Sequence, residues 1–486
     1  MNSGLSGFNK TQLLLCFLIA ANLFLVIYSL FTGSHLIYDD IEHLRAAFFI
    51  SSGDVPYRDF FEHHHPLMWY LWAPFISVMP HDTIFTIMTA RVVSFIFSLL
   101  AGWFLYLSVK RYLGGKTVAL LFVCLFFWGI TAWSALYYVK PDTYMRTCFF
   151  AGLYYLLRYF EDSRYKYLQV SSLLFLLSFL FLQSIVLQIL PLVFPVIYFI
   201  YRHPEKLKDF CLAAVIPLII IAVIVCCFFH LDIWEIYWRD NWSFNAKLSA
   251  VLHFYSSSKS DISLLLYADI LLLSLYASFF YLKNKQMNIY TATIGLLLVF
   301  DFMQRLYYPS YARYCVFLVV YAALFCAPFV SELIKNNKIF MTAFVVWSVF
   351  HIVAGVYSKE EEIYDNTWSY IRKTDSENKK SLYMFSGIYS PRLSYYWMYP
   401  SVEFLHDALY NPVADYDVNE MVKDGKIDII VVDADCDIDE KSVTELANKF
   451  PDIPQLKDKA EKHTLRYEKL ADYEQVSEDI WIKKKN

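Results

Sequence analysis

Residues 38–67 read YDDIEHLRAAFFISSGDVPYRDFFEHHHPL, an ionisable stretch set between two long apolar runs. If Asp39 begins a short helix, His43 falls one turn along on the same face. Asp40 neighbours that face through its three-residue spacing. Two carboxylates and an imidazole then crowd one edge. Gly53 and Pro56 mark a turn, after which come Arg58, Asp59, Glu62, His63, His64 and His65. Pro66 pushes His65 out of helical geometry. A second polar cluster therefore sits on a loop. The plain reading is a solvated loop, since loops are polar by default; the chemical reading makes this the site.

Composition sets the class. Of 486 residues, 58% are hydrophobic, 19% aromatic and only 18% charged, more apolar surface than one soluble core needs. The chain reads as an α-helical polytopic membrane protein. Its net charge of -4 says little about partners, because sidedness of charge matters more than its sum in such a chain. Nucleic acid is not expected as a partner. Of nine cysteines, only Cys436 lies outside the apolar runs, so neither a disulfide framework nor a CxxC metal motif can be drawn.

Gln12 to Phe31 is long enough to span a bilayer, which takes about 20 residues. Thr32-Gly33-Ser34-His35 follows it with no small-residue cleavage site, which reads as an uncleaved first helix. Leu67 to Met79 is too short to span and carries Trp69, Tyr70 and Trp72, so an interfacial or re-entrant helix is expected there. Further spans are expected near 83–108, 118–135, 143–159, 168–183, 185–201, 210–230, 263–282, 288–304, 314–332 and 339–356. With the first they make about eleven. Connections carrying Lys110, Arg111 and Lys116, then Arg158, Arg164 and Lys166, then Arg202, Lys206 and Lys208, fall on one side, the positive-inside pattern. The first loop (33–82) and the tail then share the outer side, and the division between spans near 183–186 is the least sharply marked.

The loop also resembles a known one. Asp39-Asp40, then Gly53-Asp-Val-Pro56-Tyr57-Arg-Asp59-Phe-Phe, then His64-His65-Pro66-Leu67 is similar to the first extracytoplasmic loop of GT-C membrane glycosyltransferases. Within them it is nearest the protein O-mannosyltransferase and lipid A aminoarabinose transferase group. Those proteins read Asp-Glu where this chain has Asp39-Asp40, and two prolines where it has Pro66 alone. The resemblance implies a GT-C-like fold and a polyprenyl-phosphate-linked sugar as donor. It implies an acceptor that is a glycan, lipid or protein, and inverting transfer. It puts Asp39 in place as the base, with Asp40 and Asp142 in the catalytic group, and sets a basic, Tyr-rich stretch near Arg305 and Arg313.

The residues allow that chemistry. A phosphate departs as a stabilised anion, so cations matter more than a proton-donating acid. Arg58, Glu62, His64, His65, Lys140, Arg305 and Arg313 are the expected substrate and phosphate contacts. A divalent metal held by the acids, or zinc admitted by the histidines, is a possible cofactor. Plainer readings stand beside these. Pro141 and Asp142 suit the first turn of a helix, and Arg305 and Arg313 can snorkel to headgroups of the surrounding lipids. The aromatic and polar loop 230–262 suits an interfacial belt or a sugar platform. Inside spans, Arg91 is placed to reach the first loop's acids, Asp301 to pair with Arg305, and Gln183 and Gln188 to hydrogen-bond between helices.

From Ser358 the chain turns charged and proline-punctuated. Residues 358–486 are expected to form a small extracytoplasmic α/β domain, with strands at 382–385, 429–432 and 464–470 and a helix at 442–450. Domain 1–357 is then the membrane transferase, in a bacterial inner (cytoplasmic) membrane. A lipid-linked sugar flippase or a non-catalytic scaffold would share the spans. A carrier, however, should line a midplane path with polar residues, and here they gather on one side.

Overall fold

The computed structural model describes residues 9–32, 38–60, 62–79, 83–128, 136–246, 261–284, 287–307 and 316–336. Beyond these it describes the strand segments 381–384, 395–397, 429–432, 472–477 and 480–484, with Thr342, Val346 and Lys423. The described chain is mostly helical. α1 (Lys10–Thr32) is followed by α2 (Tyr38–Ser51), α3 (Leu67–Ile76), α4 (Thr83–Ser108), α5 (Gly115–Trp128), α6 (Pro141–Asp162), α7 (Tyr165–Phe181) and α8 (Leu207–His230). α9 (Asp261–Asn284), α10 (Ile289–Tyr307) and α11 (Val316–Asn336) complete the helices used below.

Among the described residues, four stretches are long and apolar enough to cross a membrane: Lys10–Tyr28, Phe85–Leu113, Gln183–Arg202 and Pro204–His230. Shorter apolar helices fall at Gly115–Cys124, Tyr165–Phe181, Ile289–Gln304 and Val320–Glu332. The expected span at 339–356 lies outside the described helices. α3 is the short helix expected, with Tyr70 and Phe75 exposed and Trp69 and Trp72 buried. The division near 183–186 falls at Leu182, which is extended (φ -155, ψ 120) and ends α7 before a tight turn begins at Gln183.

α6 is the hub. Pro141 begins it, as its sequence position predicts, since an N1 residue needs no N–H. Tyr144, Phe149, Phe150, Leu153, Leu157 and Tyr159 are all buried, so the helix is covered on most sides. Lipid tails are as apolar as these side chains, so close packing and hydrogen bonds must hold the helices together. Gly152 lets Phe175 approach until a Cβ there would stand 2.9 Å from its ring. Ser171 and Ser178 of α7 donate to the Gly152 and Met145 carbonyls, each at 2.8 Å. At the far end Arg111 meets Glu161 at 2.6 Å and Arg158 meets Asp162 at 2.6 Å. Arg111 and Arg158, two of the basic residues assigned to the inner side, therefore meet at one end of α6, roughly 33 Å from its start at Pro141 for 22 residues.

The tail contains a five-stranded sheet of order β2-β1-β3-β5-β4, with β1 Ser381–Met384, β2 Tyr395–Trp397, β3 Ile429–Val432, β4 Tyr473–Ser477 and β5 Ile480–Lys483. β1 pairs in parallel with β2 and β3, and β5 runs antiparallel to β3 and β4. The continuous apolar run 429–432 is the central strand, where both faces can be covered. The expected strand 464–470 and helix 442–450 lie outside the described residues.

Candidate functional site

The first loop is bent back on itself by its own sequence. α2 stops at Ser51, and Gly53 takes φ 102, a value open to glycine, so that its N–H reaches the Ile50 carbonyl at 3.0 Å. The Asp59 carboxylate accepts the Val55 N–H at 2.7 Å and closes the turn around Pro56. Tyr57 holds φ 70, a conformation that costs a non-glycine residue about 1–2 kcal/mol. It is buried, and its hydroxyl donates to the His64 carbonyl at 2.6 Å. The Gly-x-x-Pro-Tyr-x-Asp pattern is thus a device that aims Glu62 to His65 back at α2.

Asp40 fastens α2 to two other elements. Its Oδ2 accepts Arg91 Nε at 3.0 Å and a second guanidinium N–H at 2.5 Å, and its Oδ1 accepts the Val139 N–H at 2.6 Å. Asp40 and Arg91 are both fully buried. The clamp brings the segment Val139-Lys140-Pro141-Asp142 beside α2, which joins the two acidic positions read from the sequence.

Beside the clamp lies a group of four. Ligand atoms of Glu42, His43, Glu62 and His64 lie within 4.8 Å of one another. His64 Nδ1 stands 3.5 Å from Glu42 Oε1 and 3.3 Å from Glu62 Oε2. Burial alone would lower the His64 pKa; the Glu42 and Glu62 carboxylates beside its ring outweigh that and push it up to about 10. His43 is the opposite case, held well below the ordinary imidazole range by burial and by nearby His64, Lys140 and His63. Trp69 Nε1–H donates to His43 Nδ1 at 3.1 Å, so the neutral ring keeps its proton on Nε2.

His65 faces a different wall. Its Nδ1–H donates to the Phe179 carbonyl at 2.7 Å, and its Nε2 accepts the Tyr237 hydroxyl at 2.8 Å. Burial lowers its pKa to about 4. His65 is therefore neutral near pH 7 and does not serve as the expected phosphate cation. The loop after α8 supplies this wall: Trp234–Trp238 and the wide turn Arg239–Phe244 bring Tyr237, Asn241 and Phe244 into burial. Those residues are packed against the first loop, although Trp238 stays exposed in the manner of a belt. Gln183 and Asn245 both donate to the His63 carbonyl, at 3.1 and 2.6 Å.

The other expected site residues divide as follows. Asp39 lies in the first turn of α2 next to Asp40, and Arg305 lies in α10; their side chains are outside the described residues, as is all of Arg313. Asp142 is in the first turn of α6, and Lys140 precedes that helix near enough to His43 to act on it. Arg58 is 48% exposed and doubly bonded to Asp59, both at 2.9 Å, so it braces the turn and does not reach the cluster. Asp40 has both oxygens engaged by Arg91 and Val139, which makes it a positioning residue where catalysis was expected. Arg91 reaches the acid as expected. Asp301 accepts Gln188 Nε2 at 2.6 Å, an interhelical bond. Glu42 was not singled out in the sequence, although it directly precedes His43. Trp69 carried no signal beyond its aromatic character.

In class, then, the chain is a helical membrane protein with a buried cluster of acids and histidines where the first loop turns back on α2. Residues 63–231, just over a third of the chain, match the family profile described as dolichyl-phosphate-mannose-protein mannosyltransferase. That match supports a GT-C superfamily membrane glycosyltransferase and begins at His63, after the acidic pair. No curated protein sequence matches the chain. A crystal structure of the Archaeoglobus fulgidus oligosaccharyltransferase in complex with Zn and sulfate is a distant likeness, with TM-score 0.44 and 14% identity over 77% of this chain. The alignment covers 60% of that protein's chain.

Proposed function

We propose that this protein moves a sugar from a polyprenyl-phosphate donor to an acceptor on the extracytoplasmic side, with inversion. The observation that supports the reading is the bond from the Val139 N–H to Asp40, which ties the segment leading into Lys140 and Asp142 to the start of α2. In this reading Asp39 is the carboxylate base, Asp142 a second acid and Lys140 a cation of the same site. Asp39 takes the proton from the acceptor hydroxyl. Lys140, with Arg305 and Arg313, offsets the charge on the departing phosphate, as forked or point-charge contacts do. The acceptor is a glycan, lipid or protein, and the matched mannosyltransferase family makes polyprenyl-phosphate mannose the first donor to try.

The test is release of polyprenyl phosphate by the purified chain mixed with membrane extracts that supply acceptors, read with mass spectrometry of surface glycans from a deletion strain. No release, with unchanged glycans, sinks the reading. Charge-assisted contacts contribute about 1.5–3 kcal/mol each, so Arg313→Ala and Lys140→Ala should each lose roughly ten- to a hundredfold in turnover or donor affinity. Unchanged donor binding and turnover in folded Arg313→Ala would assign that residue to lipid headgroups.

Sidedness has its own check. An even number of expected spans between them puts the first loop and the tail on the same face. Cysteines introduced at Ser52 and Ser442 should both react with an impermeant probe from outside. Labelling from opposite faces would remove one span and reverse the tail.

A further inference from the structure

We propose that Glu42, Glu62 and His64, with His43 alongside, bind one divalent transition ion of the zinc class, which staples the return of the first loop to α2. Glu42 and His43 belong to α2, whereas Glu62 and His64 lie beyond the turn, so one ion ties together two segments that are otherwise joined through Gly53 and Pro56.

The spacing is the first argument. Ligand–metal bonds of about 2.0–2.1 Å in a tetrahedron put neighbouring ligand atoms roughly 3.3–3.4 Å apart. His64 Nδ1 stands 3.3 and 3.5 Å from its two carboxylate oxygens. Hydrogen bonds of this type centre on about 2.9–3.0 Å, so these contacts are long for bonds and right for two edges of one coordination sphere. His64 Nδ1 also carries at most one proton, and that proton cannot point at both oxygens.

Charge and burial are the second argument. Glu42 and Glu62 are each about 5% exposed. Buried carboxylates need compensation, and a divalent ion bound between two of them supplies it. Glu62 is fixed for the task, since its Oε2 also accepts the His63 N–H at 3.1 Å. Mixed nitrogen and oxygen ligands at this spacing favour zinc over magnesium or calcium, which prefer more oxygens.

His43 occupies a separate place. Trp69 donates to its Nδ1, so the free nitrogen bears a proton and cannot ligate without a shift of tautomer. We therefore give the ion three protein ligands and an open fourth position, with His43 as a neighbour that orients them. The transfer reaction is not needed for this binding.

The test is metal content. The full chain, purified in detergent without chelator and equilibrated with zinc, should retain about one equivalent after gel filtration. Replacing zinc with cobalt(II) should give the intense visible bands of a low-symmetry, near-tetrahedral site. Glu42→Gln with Glu62→Gln should hold less than a tenth of an equivalent, and His43→Ala should weaken binding roughly tenfold, as loss of an orienting neighbour does. Asp39→Asn should keep its metal in full, so loss of transfer and loss of metal are read apart. Wild-type chain that retains no zinc and gives no cobalt spectrum overturns the proposal without reference to any variant. So does a folded double variant that binds as much metal as wild type.

Discussion

Asp39→Asn should transfer sugar roughly 10²–10⁴-fold more slowly than the wild-type chain, the usual contribution of a well-placed general base. The substitution keeps the size and polarity of the side chain, and Asp39 lies in the first turn of a helix whose next residue is already anchored by Arg91. Donor binding should therefore survive. The measurement is release of polyprenyl phosphate at saturating donor, paired with a donor-binding assay on the same preparation. A wild-type rate would remove Asp39 as base and move the assignment to Asp142, which sits across the Val139 junction in the first turn of α6.

Asp40→Asn should damage stability more than chemistry. It leaves the Arg91 guanidinium buried with its neutralising charge gone, and breaking a buried pair from one side costs about 3–5 kcal/mol. Thermal unfolding of the detergent-purified chain should show a clear drop in midpoint. Arg91→Ala should do the same, because Asp40 then loses the guanidinium bonded to its buried carboxylate. Removing both partners together, as Asp40→Leu with Arg91→Leu, should recover much of the loss, since neither charge is left without compensation. If Asp40→Asn unfolds at the wild-type temperature, the clamp contributes nothing and Val139 must be held by other contacts.

The sequence displayed the fold class because apolar content and span length are summed signals, robust to any single residue. It displayed the turn for the same kind of reason: Gly53, Pro56 and Asp59 act locally, through φ, ring closure and a carboxylate four residues from the amide that it caps. Arg91 was legible because a charge inside a span must find a partner. What the sequence hid depends on distance along the chain. His65 looks like a cation beside a proline, yet the Phe179 carbonyl and Tyr237 hydroxyl, 114 and 172 residues away, make it a neutral hydrogen-bonding residue. Asp40 looks like the second member of an acidic pair, and only the approach of Val139 shows its second oxygen engaged. Glu42 was hidden differently, because its neighbour His64 lies across a turn whose direction the sequence suggests without fixing the register.

The carbonyl of His63 has a bearing on how the protein is made. It accepts amide N–H groups from Gln183 and Asn245, 120 and 182 residues further along. At about 5–20 residues per second, a ribosome needs roughly 10 to 40 s to travel from the first loop to Asn245. Through that interval the first loop exists without the Gln183 and Asn245 amides that hold the His63 carbonyl. The site is therefore completed late in synthesis, and a chain halted before residue 245 should carry the motif intact yet remain open to protease at the Gly53 turn.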